Sequence, residues 1–202
     1  MKNQRIFNAI VIVVLTVLAA GCQPAGISND DSNTHDSTGV DVSALAVNNR
    51  DYYPIVYDLF EDAEHSIYMI MYSMKYYDYN PENEEMKLLA KLASRALNGI
   101  DVKIILEQSD WNPDLNEDNY ESGQYLADNA AEVRYDPMTV TSHCKMIIID
   151  TARVLVGSTN WSISAINYNN EANVLLTGEA IAEDFTDYFN TLWEDSYEKE
   201  FR

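Results

Sequence analysis

From residue 52 onward, short runs of apolar residues alternate with longer segments in which apolar residues recur at helical spacing. Dense apolar runs of strand length predict β-strands at 66–73, 102–106, 132–135, 143–149, 154–157 and 173–176. Apolar residues that recur at three- and four-residue spacing predict helices at 52–62, 82–98, 120–129 and 179–197. The polar segment 108–118 is rich in Asn and Asp and is expected to be a loop. Gly99 is expected to cap the second helix.

The order of these elements indicates an α/β fold. The first three strands alternate with helices, which favours crossover connections and parallel pairing. The fourth and fifth strands are joined only by Asp150–Arg153, a length typical of a β-hairpin. We therefore predict a mixed, largely parallel β-sheet flanked by helices on both faces.

The N-terminal segment has the features of a signal for export. Lys2 and Arg5 precede an apolar run, 6–20, which ends in small residues before Cys22. This pattern predicts a lipoprotein signal peptide over residues 1–21, with Cys22 as the lipidated residue; an ordinary secretory signal or an uncleaved anchor are the alternatives. The expected location is a bacterial cell envelope, outside the cytoplasm, with the protein anchored to a membrane through lipid.

A polar segment follows Cys22. Residues 22–48 are rich in Ser, Asp, Asn and Thr and show no hydrophobic period, so they are predicted to form the lipidated cysteine and a flexible linker. Such a linker reaches about 25–30 Å on average. The folded domain is expected over residues 49–202. His35 lies in the linker, where a solvated role is the simplest one.

The chain is strongly acidic, with 13 basic and 33 acidic residues and a net charge of −20. Binding of a long nucleic acid usually requires a basic patch that neutralises many phosphates. A lipid headgroup presents a single phosphate, so the charge disfavours a long polyanion more than a small phosphodiester. An acidic surface is also explained by solubility or by adaptation to salt.

The candidate chemistry is concentrated near residue 143. His143 and Lys145 are followed by Asp150 in the order His-x-Lys-x4-Asp, and the segment Gly157–Asn160 comes soon after. On a strand, His143 and Lys145 project from the same side. A nucleophile or base beside a positive charge suits attack on a phosphodiester. Cys144, between them, is expected to point to the opposite face as a small buried residue.

Together with Ser162 and the segment 170–173 (Asn-Glu-x-Asn), this pattern resembles the phospholipase D and nuclease superfamily, in particular its small members with one motif per chain. The resemblance covers roughly residues 50–195 and includes the opening 63–68 (AEHSIY). It implies a phospholipase D-like fold.

The resemblance also implies roles for individual residues. The His143 imidazole would attack phosphorus and form a covalent phosphohistidine. Lys145 would bind the non-bridging oxygens, and Ser158 and Asn160 would add neutral donors to the same oxygens. Glu171 would accept a hydrogen bond from the second ring nitrogen of His143 and fix its tautomer.

Two motif residues are assigned structural roles. Alternation from His143 places Asp150 on the opposite face at the strand end, where it is expected to bind backbone at the Asp150–Arg153 turn. Gly157 is the other structural member of the motif. No metal and no other cofactor is expected, because the sequence shows no further cluster with ligand spacing.

A single motif implies a second chain. In-line attack by one histidine requires a proton donor on the opposite side of phosphorus. Neither His35 nor His65 lies in a second motif, so we predict a homodimer that brings two copies of His143 and Lys145 together.

The leading hypothesis is a metal-independent phosphodiesterase of phospholipase D type that hydrolyses a phospholipid headgroup bond. The alternatives are a surface-tethered endonuclease that cleaves DNA or RNA, and an inactive lipoprotein that binds a phosphorylated ligand. Aromatic residues in the loops after the first two strands either line the cleft mouth or serve simple packing; they are Tyr76, Tyr77, Tyr79 and Trp111.

Overall fold

The computed structural model describes residues 41–198, so the predicted signal peptide, Cys22 and His35 lie outside the described residues. The strands in that range are β1 (Ser43–Asn48), β2 (Ser66–Met71), β3 (Asp101–Leu106), β4 (Glu132–Tyr135), β5 (Lys145–Ile149), β6 (Arg153–Gly157) and β7 (Ala172–Thr177). The α-helices are α1 (Tyr52–Glu61), α2 (Glu84–Leu97), α3 (Pro113–Asp128), α4 (Ile163–Asn167) and α5 (Glu179–Asp195).

The strands form one mixed sheet in the order β1-β7-β6-β5-β2-β3-β4. β2 pairs parallel with β3, and β3 with β4, while β5, β6, β7 and β1 join through antiparallel pairs. Five of the seven strands therefore run in one direction, and β5 and β7 run in the other. The predicted mixed α/β sheet is confirmed, and its directly paired parallel part is limited to β2, β3 and β4.

The sheet is buried on both faces. Ile67, Met69 and Met71 of β2 pack with α1 and α2 in the larger core, whereas Ile70 packs with Phe189 of α5 on the other face. Central strands with two buried faces have continuous apolar sequences, which explains the runs seen in β2 and β5. The expected helices on both faces are confirmed, and Trp161 is fully buried in the larger core.

Two local predictions are confirmed by backbone geometry. Gly99 follows the end of α2 with a φ of +91°, a conformation that favours glycine. Asp150 and Thr151 both have positive φ values, +52° and +48°, as expected for a tight hairpin turn between β5 and β6.

The predicted linker extends too far. Residues 43–48 form β1, which pairs along its full length with β7, from Ser43↔Thr177 to Asn48↔Ala172. Of its six side chains only Val47 is buried, so this edge strand carries no hydrophobic period that the sequence reveals. Backbone pairing with β7 and the burial of Val47 attach it to the sheet, and the folded domain therefore begins before residue 49.

The helix predicted at 120–129 begins earlier, at Pro113, so most of the predicted loop 108–118 is helical or leads directly into the helix. Asn112 caps this helix through a side-chain oxygen that accepts from the Leu115 amide at 3.2 Å. The buried face of α3 includes Asn119 and Ser122, and these polar residues hide the helical period.

Candidate active site

Several loops open at the same edge of the sheet. β5 is antiparallel to β2, so its first residue, Lys145, pairs with the last residue of β2, Met71. β6 ends at Gly157, which pairs with Asn173 near the start of β7. The segments before β5, after β6 and before β7 therefore lie at the edge where β2, β3 and β4 end. We call this the motif edge.

His143 and Lys145 meet at an aromatic ring on the motif edge. The His143 ring lies 4.5 Å from the Tyr72 ring, centroid to centroid, and the Lys145 Nζ lies 4.7 Å from the centroid of the same ring. Lys145 Nζ also donates to the His143 carbonyl oxygen at 2.9 Å. His143 is exposed, whereas Lys145 is only 7% exposed. These shared contacts agree with the prediction that both side chains lie on one side.

The strand prediction for this segment is wrong by two residues, because β5 begins at Lys145 and His143 precedes it. The amide of Ser142 donates to carboxylates and not to a neighbouring strand. Cys144 is half-buried and its Sγ lies 3.9 Å from the Tyr188 hydroxyl of α5, on the other face of the sheet.

Two features of its surroundings favour the neutral form of the His143 ring. Burial and then the neighbouring Lys145 charge lower the pKa of His143 below its ordinary value. The neutral imidazole, which has a free lone pair, is therefore populated over more of the range near neutral pH. Burial also lowers the pKa of Lys145, against the opposing influence of Cys144 and Glu171.

Glu171 is held by residues of the connection between β6 and β7. One carboxylate oxygen accepts from the Ser158 hydroxyl and the other from Asn169 Nδ2 at 3.1 Å. Ser158 Oγ in turn accepts from the Ala172 amide at 3.1 Å. Within residues 41–198 no hydrogen bond joins Glu171 to His143, so the orienting role assigned to Glu171 stays a prediction.

Asn160 is the second neutral group near the motif. It is half-buried, and its side-chain oxygen is buried without a hydrogen-bond partner among the described residues. An unpaired buried amide oxygen costs roughly 1–3 kcal/mol. Native structures contain few such groups, and each calls for an explanation.

Gly157 and Asn173 fix the start of this loop. A Cβ on Gly157 would lie 2.2 Å from Asn173 Oδ1, so only glycine fits beside β7. Asn173 Nδ2 donates to Val47 O at 3.0 Å and to Thr159 Oγ1 at 2.9 Å, joining β1 to the loop after β6. The geometry agrees with a structural role for Gly157; the joining role of Asn173 was not predicted.

Asp150 lies at the opposite edge of the sheet. Its carboxylate accepts from the backbone amides of Glu64, His65 and Ser66 at 3.0, 2.7 and 2.8 Å. A structural role therefore fits, but the predicted partner is wrong, because the bound backbone precedes β2 and not the Asp150–Arg153 turn. Burial acts to raise the pKa of Asp150, and the three amides outweigh it and lower the pKa.

Replacing Asp150 with alanine is expected to lower the free energy of unfolding by about 3 kcal/mol, because three amides lose a charged acceptor. Since the folded-state pKa is lowered, this stabilisation is present above the ordinary Asp pKa and is lost as the pH falls through the folded value. Urea unfolding at pH 7 and in acid measures both effects. Asp62→Ala, at an exposed residue 3.9 Å from Arg153, is the matched control; equal stability of the two variants at pH 7 would contradict the assignment.

His65 is distant from the motif edge. It immediately precedes β2, whose residues Ile67 and Met71 pair with Ile149 and Lys145 at opposite ends of β5. Six residues at about 3.3 Å each separate His65 from Met71, roughly 20 Å. Within residues 41–198, His143 is therefore the one histidine at the motif edge.

The same residues contain no group of three or more His, Cys, Asp or Glu side chains that are placed to hold a metal ion. Over this range, too, no helix combines the length and apolar character needed to cross a bilayer.

The chain is similar in sequence to a known protein family and to several known proteins. The family model described as "Cardiolipin synthase, PLD-like domain" matches residues 56–193. Phospholipase D of Rickettsia typhi is 30% identical over 125 residues, which cover 62% of this chain and 54% of that protein. The mitochondrial cardiolipin hydrolase of Xenopus laevis is 36% identical over 64 residues, 31% of this chain and 30% of that protein. The chain spans about half the length of the Rickettsia phospholipases D that it matches.

Solved structures share the fold. Nuc from Salmonella typhimurium, described as a phospholipase D family member, has a TM-score of 0.67 and 22% identity, and the match covers 80% of this chain and 100% of that one. NucT from Helicobacter pylori has a TM-score of 0.63 and 20% identity, with 79% and 100% coverage. At these identities the similarity establishes the fold.

Proposed function

This chain belongs to the phospholipase D-like domain family, and from that premise we propose that it is a phosphodiesterase that works through a covalent phosphohistidine at His143. The observation that carries the proposal is the arrangement of an exposed imidazole with a lowered pKa beside the Lys145 ammonium on the Tyr72 ring. A neutral nucleophile next to a fixed positive charge is what attack on an anionic phosphodiester requires.

The reaction has two displacements. In the first, a His143 ring nitrogen forms a bond to phosphorus while the bond from phosphorus to the leaving alcohol oxygen breaks, and a general acid protonates that oxygen. In the second, water gives its proton to the same group and attacks phosphorus, and the nitrogen–phosphorus bond breaks. Lys145, Ser158 and Asn160 bind the non-bridging oxygens, and Glu171 orients His143. This chemistry needs no metal ion.

The general acid is assigned to His143 of a second copy of the chain. His65 lies at the opposite edge of the sheet, and the motif edge of residues 41–198 holds no other histidine. A symmetric dimer with the two motif edges together supplies a second imidazole on the far side of phosphorus.

A phospholipid is the proposed substrate, and exposed apolar side chains around the motif edge support it. They lie in four connections that open there: β2–α2, β3–α3, β4–β5 and α4–β7. We call them the apolar rim: Tyr79, Trp111, Met138, Val140 and Tyr168. Trp and Tyr are enriched where proteins meet the membrane interface, and apolar side chains bury their area in its acyl boundary.

The predicted properties of the N-terminal segment also support a membrane phospholipid as the substrate. We propose that Cys22 carries a lipid anchor in a bacterial cell envelope and that the polar segment after it tethers the domain near the membrane surface. The net charge of −20 also favours a substrate with one phosphate over a long polyanion.

A surface-tethered endonuclease is the alternative function. It is supported by the fold that the chain shares with the whole length of Nuc and NucT. A lipoprotein that binds a phosphorylated ligand without turnover is the third possibility, and it forms no covalent intermediate.

A substrate panel in EDTA separates these functions. Phospholipid vesicles, single- and double-stranded DNA, and RNA are each incubated with the protein, and released headgroup or cut strands are measured. We expect headgroup release from vesicles and negligible strand cleavage. Cleavage of nucleic acid with intact vesicles would establish the endonuclease instead.

In the same panel, the double variant Trp111→Ser/Val140→Ser is expected to lower vesicle hydrolysis about tenfold, equivalent to ~1.4 kcal/mol of lost interfacial binding. Hydrolysis of the soluble diester bis(p-nitrophenyl) phosphate is expected to change little, because both residues are more than 60% exposed. Leu97→Ser, at an exposed residue where α2 ends at the opposite edge, is the matched control. Equal loss on both substrates would refute interfacial binding by the rim.

A further inference from the structure

We propose that Glu107 and Asp136 are positioning residues for His143: this buried carboxyl pair binds the Ser142 amide and so fixes the segment that carries the nucleophile. This inference rests on the proposed function, because it gives His143 a reacting role. It concerns residues that the sequence pattern does not mark.

The fold places the two carboxyl groups side by side. β3 and β4 are parallel neighbours, and their last paired residues are Leu106 and Tyr135. Glu107 and Asp136 are the next residues on each chain segment, so both enter the motif edge at adjacent positions. They are only 1% and 4% exposed. Carboxyl groups are rarely buried to this extent without specific partners.

Both carboxyl groups bind one backbone amide. Ser142 N lies 2.6 Å from Glu107 Oε2 and 3.1 Å from Asp136 Oδ2. The other oxygen of Asp136 accepts from the Gln108 amide at 2.6 Å. The backbone of Glu107 is itself anchored, since its amide donates to Met71 O at 3.2 Å and its carbonyl accepts from Asn119 Nδ2 at 2.9 Å.

This contact is the anchor of an otherwise exposed loop. Between β4 and β5, the residues from 138 to 141 are exposed, and Ser142 is the first buried residue before the motif. His143 follows directly, and its carbonyl oxygen accepts from Lys145 Nζ. Loss of the Ser142 contact would therefore release the His143 side chain and also the His143 carbonyl oxygen, which accepts a hydrogen bond from Lys145 Nζ.

Two buried carboxylates in one site repel each other when both are ionised, which favours a proton on Glu107. Burial, and then the hydrogen bond with Asp136, raise the pKa of Glu107 to about 7, against the lowering effect of the Ser142 amide. The other ionisable groups that act on the pair are Asp110, which raises the same pKa further, and Tyr197, whose own pKa Asp136 helps to raise. These neighbours add no positive charge.

The proton gives the site a pH dependence beyond that of His143. As the pH rises through about 7, Glu107 loses its proton, and we expect the repulsion between two adjacent negative charges to outweigh their attraction for the Ser142 amide and to loosen the segment. Activity should therefore rise as His143 deprotonates and fall again as Glu107 loses its proton. Both carboxyl groups are buried, so the role assigned to them acts through the Ser142 segment and not through contact with substrate.

The test compares Glu107→Gln, Glu107→Ala and Asp136→Asn on a soluble diester over the pH range from 5 to 9. Glu107→Ala is expected to lower kcat on the order of 10- to 100-fold with little change in KM, as a displaced nucleophile does. Glu107→Gln keeps a neutral hydrogen-bonding group, so it should rescue kcat and remove the fall on the alkaline side. Glu85→Gln is the control, because Glu85 is also a buried carboxyl group but binds the Lys75 amide.

A second readout is independent of activity. In the wild-type protein the NMR signal of the Ser142 amide should shift with a midpoint near pH ~7, and in Glu107→Gln this titration should disappear. If the protein hydrolyses no diester but the amide titrates, the proposed function fails and the carboxyl pair stands. If Glu107→Gln keeps both the alkaline fall in kcat and the amide titration, the positioning role is overturned. Should Glu107→Ala not fold, Glu107→Gln and Asp136→Asn carry the test.

Discussion

Replacing His143 with glutamine is expected to lower the hydrolysis of a soluble phosphodiester by at least about 10⁴-fold, a loss typical of a missing nucleophile. The ring is exposed and contacts Tyr72, and its backbone contacts do not need the imidazole. The variant should therefore fold normally, with an unchanged circular dichroism spectrum and unfolding midpoint.

The matched control for this variant is His65→Gln. His65 is also exposed, and its contact with Asp150 is made by its backbone amide, which glutamine keeps. Wild-type rates are expected for this control. Equal rates for the two variants, or substantial residual hydrolysis in His143→Gln, would show that another group attacks phosphorus.

The second large effect concerns the shared site. When equal amounts of wild-type and His143→Gln subunits are refolded together, about half of the dimers are mixed. A site that needs His143 from both chains leaves only wild-type dimers active, so the rate should fall to about one quarter of that of the same total amount of wild-type protein. If each dimer has two independent sites, the rate should be about one half of the wild-type rate. If mixed dimers are fully active, it should be about three quarters.

This experiment needs a measured assembly state. Light scattering on a sizing column establishes whether the protein is dimeric at the assay concentration, and refolding wild-type with His65→Gln controls for losses in the procedure. A fully active monomer, or a rate at or above one half, would contradict the shared site and require a general acid within one chain.

The sequence predicted the central elements because each of them satisfies its own local pattern. β2 and β3 are buried on both faces, and α2 has a regular apolar stripe and a capping glycine. β1 escaped prediction because it pairs through its backbone and buries only one side chain, Val47. The start of α3 escaped because its buried face is partly polar.

The candidate site was predictable to the extent that its members are close in sequence or match a known pattern. His143, Lys145, Ser158 and Asn160 lie at or beside the ends of two consecutive strands, and those strands turned out to open at one edge. Contacts between distant segments were not predictable. Glu107 meets Ser142 across 35 positions, and no local period marks either residue.

The contacts of Asp150 were likewise not predictable from the sequence, because its partners are distant along the chain. Alternation along the strand predicted that it lies on the face opposite His143, whereas the structure places the two residues beyond opposite ends of β5. The amide partners of Asp150 are 84 to 86 residues earlier in the chain. Pairing of β5 with β2 brings them together, and this pairing depends on the complete sheet.

Direct detection of the covalent intermediate tests the central claim. The protein is mixed with a model phosphodiester in EDTA, denatured at alkaline pH during turnover, and digested for mass spectrometry. The predicted result is a phosphoryl adduct on the imidazole of the peptide that contains His143, absent from His143→Gln. Turnover without any adduct, or an adduct on a different residue, would contradict the mechanism.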